Sequence, residues 1–150
     1  MRVGLFLGLA LSLLAASAWA AEGETIGSVK NLQGQATVVR NQQSLPARVG
    51  MALIKSDLLR TGSNSTIGVI LRDDTLLSLG PDSEIALADF AFSPSEGKLS
   101  FVARMMKGTA ACLTGQIGRL SPGSFRFETP VANIGIRGTM FAVKIEDDRS

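Results

Sequence analysis

Thr66-Ile67-Gly68-Val69-Ile70-Leu71-Arg72-Asp73-Asp74-Thr75-Leu76-Leu77-Ser78-Leu79 reads as two short strands joined by a tight turn. Ile67, Val69 and Leu71 occupy alternate positions, which places them on one face of an extended chain. Asp73-Asp74 interrupts the apolar run with two short residues that tolerate turn geometry, so the segment closes as a hairpin. The two carboxylates also raise the question of a cation. An oxygen-rich metal site needs several more ligands at set spacing, so the pair is assigned to the turn and no metal is assigned.

The same alternation recurs outward from this hairpin. Phe125 and Phe127 oppose Ser124, Arg126 and Glu128; Phe141, Val143 and Ile145 oppose Met140, Lys144 and Glu146; Leu99, Phe101, Ala103 and Met105 share a face. Gly80-Pro81-Asp82-Ser83 marks another turn, and no segment after residue 24 carries a convincing amphipathic helical repeat. The fold class is therefore all-β: one domain over residues 25–145 with a polar tail at 146–150. Short strands at this spacing are compatible with a sandwich, a barrel or a solenoid-like stack. Residues 90–98, with Pro94, Ser95, Glu96 and Gly97, read as a longer mobile connection, and Phe90, Phe92 and Lys98 are the candidate partner-binding residues on it.

Composition narrows the function. The 150 residues hold 15 Lys+Arg against 13 Asp+Glu, a net charge of +2 with interspersed signs, so no basic footprint for nucleic acid exists. There is no His and no Tyr, which removes the commonest general base, the commonest neutral metal ligand and a phenolic proton donor. A carboxylate pair such as Asp57 with Asp73 or Glu128 remains conceivable for sugar hydrolysis, but no spacing selects one. The chain is read as non-enzymatic, with no cofactor.

The first residues read as a secretory signal: Arg2 supplies the positive end, residues 3–16 are apolar, and Ala18-Trp19-Ala20 presents small residues at the two positions a signal peptidase must accommodate. Cleavage between Ala20 and Ala21 defines residues 1–20 as the signal and leaves a chain without Trp, with a formal charge near +1 and no stable membrane insertion. The alternative is an uncleaved anchor, since residues 3–21 just reach across a bilayer at about 20 residues. Cys112 has no intramolecular partner; in the apolar run Thr109-Ala110-Ala111-Cys112-Leu113 it reads as a buried inert thiol, with an intermolecular disulfide as the alternative.

Glu128-Thr129-Pro130-Val131-Ala132-Asn133-Ile134-Gly135-Ile136-Arg137-Gly138-Thr139-Met140-Phe141 resembles the signature of the FecR-like periplasmic domain family. Lys55-Ser56-Asp57-Leu58-Leu59-Arg60-Thr61-Gly62 resembles that family's Gly-Asp-x-x-x-Thr-Gly segment, and residues 67–79 resemble its strand, Asp-Gly-Ser turn and following strand. Lys107-Gly108-Thr109 and Thr114-Gly115 also fit, so the likeness runs from about Ile26 to Ile145. Ser56 stands where the family usually has Gly, and Asp74-Thr75 replaces Gly-Ser. Asp tolerates positive φ better than most residues, so the departures bear on turn type. The resemblance implies a twisted, solenoid-like β domain, which in the best-known members is the periplasmic half of a membrane-spanning regulator of iron-transport transcription.

Asp57, Thr61, Thr129, Pro130, Gly135, Arg137, Gly138 and Thr139 are the residues carrying this signature. Gly135-Ile136-Arg137-Gly138-Thr139 has two readings. Glycines beside a guanidinium let an anion approach closely; alternatively they form a sharp strand connection whose Arg137 is held by a buried carboxylate, for which Asp57 is the expected partner. Thr129-Pro130 reads as a strand end. The expected function is a periplasmic or secreted binding or signal-relay module without a cytoplasmic sigma-factor-regulating part, engaging an envelope protein or surface polymer, with no oligomeric state assigned. The alternative is a structural, self-assembling envelope protein on the same β domain.

Overall fold

In the computed structural model, residues 23–135 and 140–146 are described. The expected cleavage residues Ala18, Ala20 and Ala21, and Arg137, Gly138 and Thr139 of the signature, lie outside them. The chain runs through β1 (Thr25–Gln33), β2 (Ala36–Arg40), β3 (Gln43–Pro46), β4 (Ala52–Ile54), β5 (Leu58–Thr61), β6 (Thr66–Leu71), β7 (Leu76–Leu79) and β8 (Glu84–Ser93). It continues through β9 (Lys98–Leu113), a short helix α1 (Gln116–Leu120), β10 (Phe125–Glu128), β11 (Asn133–Gly135) and β12 (Met140–Ile145).

The sixteen-residue β9 organises the fold. Its first half pairs with β8 and β10, its second half with β7 and β12, so one strand belongs to two layers. The first layer runs β4-β1-β6-β7-β9-β12 and the second runs β3-β2-β5-β8-β9-β10-β11. The result is a single curled sheet of half-barrel shape, antiparallel except at β9–β10. A parallel neighbour needs a crossover. Residues 114–124 supply it through α1, a five-residue helix that no sequence periodicity announces.

The strand switches layers at Gly108, the first β9 residue in chain order paired with β12, where φ is +90°. A Cβ there would sit 2.1 Å from Ser83 Oγ, so only glycine fits the corner. Ser83 Oγ also accepts from Thr109 N at 2.8 Å, tying the corner to the 80–83 turn.

The alternation read from the sequence is the alternation of burial: Ile67, Val69, Leu71, Phe101, Ala103, Met105, Phe125 and Phe127 are all buried in one apolar cluster inside the curl. Phe101 stacks on Phe125 at 4.5 Å between ring centroids, and Phe141 meets Phe127 edge-on at 5.2 Å. Such ring pairs contribute about 0.5–1.5 kcal/mol beyond area burial. The two departures from the family pattern both fall at positive φ, Ser56 at +75° and Asp74 at +68°. The turns are kept, with L-residues in a conformation that glycine adopts freely.

The expected long loop at 90–98 is corrected. Phe90 and Phe92 lie on β8, which continues to Ser93, and Ser93 pairs directly with Lys98. Pro94–Glu96 forms a single 3-10 turn that Gly97 ends at φ +68°.

Candidate functional site

Asp57 follows a turn at Ser56 and is 1% exposed. Among the described residues it is held by Arg40 at the end of β2: Nε donates to Oδ1 at 2.8 Å and Nη2 to Oδ2 at 2.6 Å; the expected partner, Arg137, lies outside the described residues. Oδ2 also accepts from Ile54 N at 2.8 Å, and Arg40 Nη2 reaches Ala52 O at 3.0 Å. These bonds lift the Arg40 guanidinium further above its ordinary range. Thr61, buried, donates from Oγ1 to Gly80 O at 2.6 Å and accepts from Ser83 N at 2.9 Å. Both signature residues therefore hold strands together.

Asp73 is likewise structural. Its buried carboxylate accepts from Thr75 N at 3.1 Å, Thr75 Oγ1 at 2.8 Å and Ile117 N at 3.1 Å, pinning the β6–β7 hairpin to α1. Among the described residues Asp57, Asp73 and Glu128 each hold a separate set of partners. Among the described residues no group of His, Cys, Asp and Glu could hold a metal. Cys112 is buried, and burial, with the Asp73 charge second, pushes its thiol up to about 12.

Phe90 is buried rather than presented to a partner: its ring meets Phe101 edge-on at 6.4 Å, with the Arg72 guanidinium 5.8 Å from its centroid. Phe92 packs partly buried against the core, and Lys98 is exposed, 3.4 Å from Glu96.

Thr129 and Pro130 open a turn between β10 and β11. Thr129 Oγ1 accepts from Ala132 N at 3.0 Å, and Thr129 N donates to Ala132 O at 2.8 Å, which fixes the turn and lifts Val131 to its tip, 92% exposed. Below the tip lies a cleft of about 200 Å³ lined by Arg104, Met106, Glu128, Pro130 and Asn133. Glu128 bridges Arg104 Nε at 2.7 Å and Arg126 Nη2 at 3.0 Å. The Arg104 hydrogen bond holds its carboxyl below the usual carboxylate range. A carboxylate clamped this way stays ionised near neutrality. The sequence reading did not single out Arg104, Arg126 or Met106. Their juxtaposition depends on the parallel β9–β10 register, in which Arg104 faces Glu128.

The edges of the sheet differ in how open they are. Among the described residues β3, β4, β11 and β12 each have one strand neighbour. β3, β4 and β11 are four, three and three residues long, and β3 ends in Pro46, features that blunt an edge. β12 has six residues, Met-Phe-Ala-Val-Lys-Ile, with Phe141, Val143 and Ile145 only half buried. The signature residues 136–139 join β11 to this strand.

The family described as FecR protein matches residues 57–150. The match starts later than the likeness read from about Ile26, so β1 to β4 precede it while pairing into the same sheet. No curated protein and no solved structure matches.

Proposed function

The chain belongs to the FecR protein family, and on that premise we propose that it is a periplasmic, non-catalytic binding and signal-relay module that captures a protein partner by strand addition at β12. The family is one of regulatory and signalling proteins associated with the cell envelope. Among the described residues no helix is long and apolar enough to cross a membrane.

The observation carrying this reading is the contrast among the edges: three are short or capped, and one is long, apolar and bears a single charge, Lys144. Backbone groups along an edge supply affinity to an incoming strand, and alternate side chains supply selectivity. The exposed Val131 tip and the Arg104–Glu128 cleft lie within the signature segment and on the strands it pairs with.

The test places a photo-crosslinking residue at Lys144 of β12 or at Gln43 of β3 in the exported protein and captures partners from its own envelope fraction. Adducts from Lys144 and none from Gln43 support strand addition. Adducts from Gln43 alone, or turnover of an envelope substrate by the purified protein, overturn it.

A further inference from the structure

An antiparallel sheet with one face on the core ordinarily carries polar residues on the other. The outer face of the first layer departs from this along one row, although Ser78, Thr109 and Lys144 lie further along the same face. Ile70 pairs with Leu76, Leu76 with Leu113, and Leu113 with Met140, so four large apolar side chains form a continuous ladder across β6, β7, β9 and β12. Leu113 is 41% and Met140 74% exposed.

Two residues along each strand lies a second row, Ser78, Ala111 and Ala142, in register with one another. It continues to Gly68, where Asn31 covers the backbone so closely that a Cβ would sit 2.6 Å from its Oδ1. A depression of about 290 Å³ lies over this row, bounded by Asn31, Ser78, Gly80, Thr109 and Ala111. Neither row carries a charge. The face is thus an apolar ridge about 7 Å from a parallel shelf of small residues.

That relief complements itself. A two-fold axis parallel to the rows and midway between them lays the ridge of one copy on the shelf of the other, the arrangement an isologous interface requires. Lack of charge at the centre of the patch is also what such interfaces share. We propose that the outer face of the β6–β7–β9–β12 layer packs against the same face of a second copy of this chain. The contact uses side chains, so the outer backbone edge of β12 stays available, and the inference does not depend on the relay reading.

The test is the solution mass of the purified exported protein by light scattering across a concentration series. A dimer is expected. Ala111→Arg and Ser78→Glu place a charge at exposed positions in the middle of the shelf and raise the dissociation constant about 100-fold, with the far-ultraviolet dichroism unchanged. Gln43→Lys, on β3, leaves the dimer intact. A monomer throughout the series, or a dimer that survives both shelf variants, overturns the proposal. So does monomeric protein that sediments with phosphatidylglycerol vesicles, which assigns the face to lipid. None of these outcomes depends on the cross-linking pattern at Lys144.

Discussion

Arg40 holds Asp57 with two parallel hydrogen bonds, at 2.8 and 2.6 Å, across a 17-residue separation in sequence. The carboxylate is 1% exposed and the guanidinium 24%, so the two partners respond differently to loss of the other. Without Arg40 the buried Asp57 charge keeps, among the described residues, the neutral donor Ile54 N. Without Asp57 the guanidinium turns to water. Arg40→Ala is therefore expected to cost about 3 kcal/mol and Asp57→Ala somewhat less. Arg40→Lys should also destabilise, because an ammonium loses the two-pronged geometry. Thermal melts of both singles and the double measure this: strong non-additivity is expected, and additive losses would mean the residues act separately.

Ser56 and Asp74 hold left-handed backbone at +75° and +68°. L-residues there carry about 1–2 kcal/mol of strain, part of which glycine returns as chain entropy in the unfolded state. Ser56→Gly and Asp74→Gly are each expected to stabilise by up to about 1 kcal/mol. Denaturant midpoints check this, and a lower midpoint in Ser56→Gly would show that its hydroxyl contributes more than the strain costs.

What was legible in the sequence was local. The 66–79 hairpin and the inward Phe125 and Phe127 follow from alternation and turn chemistry within a dozen residues. The Phe90 strand was misread because Pro94 and Gly97 suggest a long connection, whereas they punctuate one turn between strands in register from Ser93 to Lys98. Asp57 is expected from the sequence as the buried carboxylate that holds Arg137, whereas its bond to Arg40 is set by the pairing of β2 with β5, and nothing in the residues around Arg40 reveals that register. The Arg104–Glu128 pair is hidden for the same reason, since parallel pairing through a crossover leaves no mark on either strand alone.

Cys112 is buried with its thiol at about 12. At pH 8 it is fully protonated and shielded, so the native protein should not react with a thiol reagent on the timescale at which the denatured chain reacts completely, and non-reducing gels should show no disulfide-linked species. The thiol also links stability to alkaline pH. The folded protein keeps this proton from about pH 9 to about 12 while the unfolded chain releases it, so stability is full below about 9 and falls across that window. Cys112→Ala should flatten this part of the pH profile in chemical denaturation, and an unchanged slope would assign the alkaline loss to other groups.

Gly108 is the residue on which the two layers join. Its φ of +90° is unfavourable for any side chain, and a Cβ would lie 2.1 Å from Ser83 Oγ and 2.5 Å from Ser83 Cα. The first clash is relievable by rotating a hydroxyl, but the second involves backbone and requires the 80–83 turn to move away from β9. That displacement would strain the Ser83 Oγ bonds to Thr109 O at 3.2 Å and from Thr109 N at 2.8 Å, and with them the turn through which the chain passes from β7 in one layer to β8 in the other. Gly108→Ala is therefore expected to cost about 3 kcal/mol or more, from backbone strain plus the displaced turn. Ser83→Ala separates the two contributions: it removes the hydroxyl clash and leaves the Cα clash and the positive φ. The double variant Gly108→Ala/Ser83→Ala should remain far less stable than Ser83→Ala alone in thermal denaturation. Recovery to the level of Ser83→Ala would locate the whole requirement for glycine in the hydroxyl contact rather than in the strand corner.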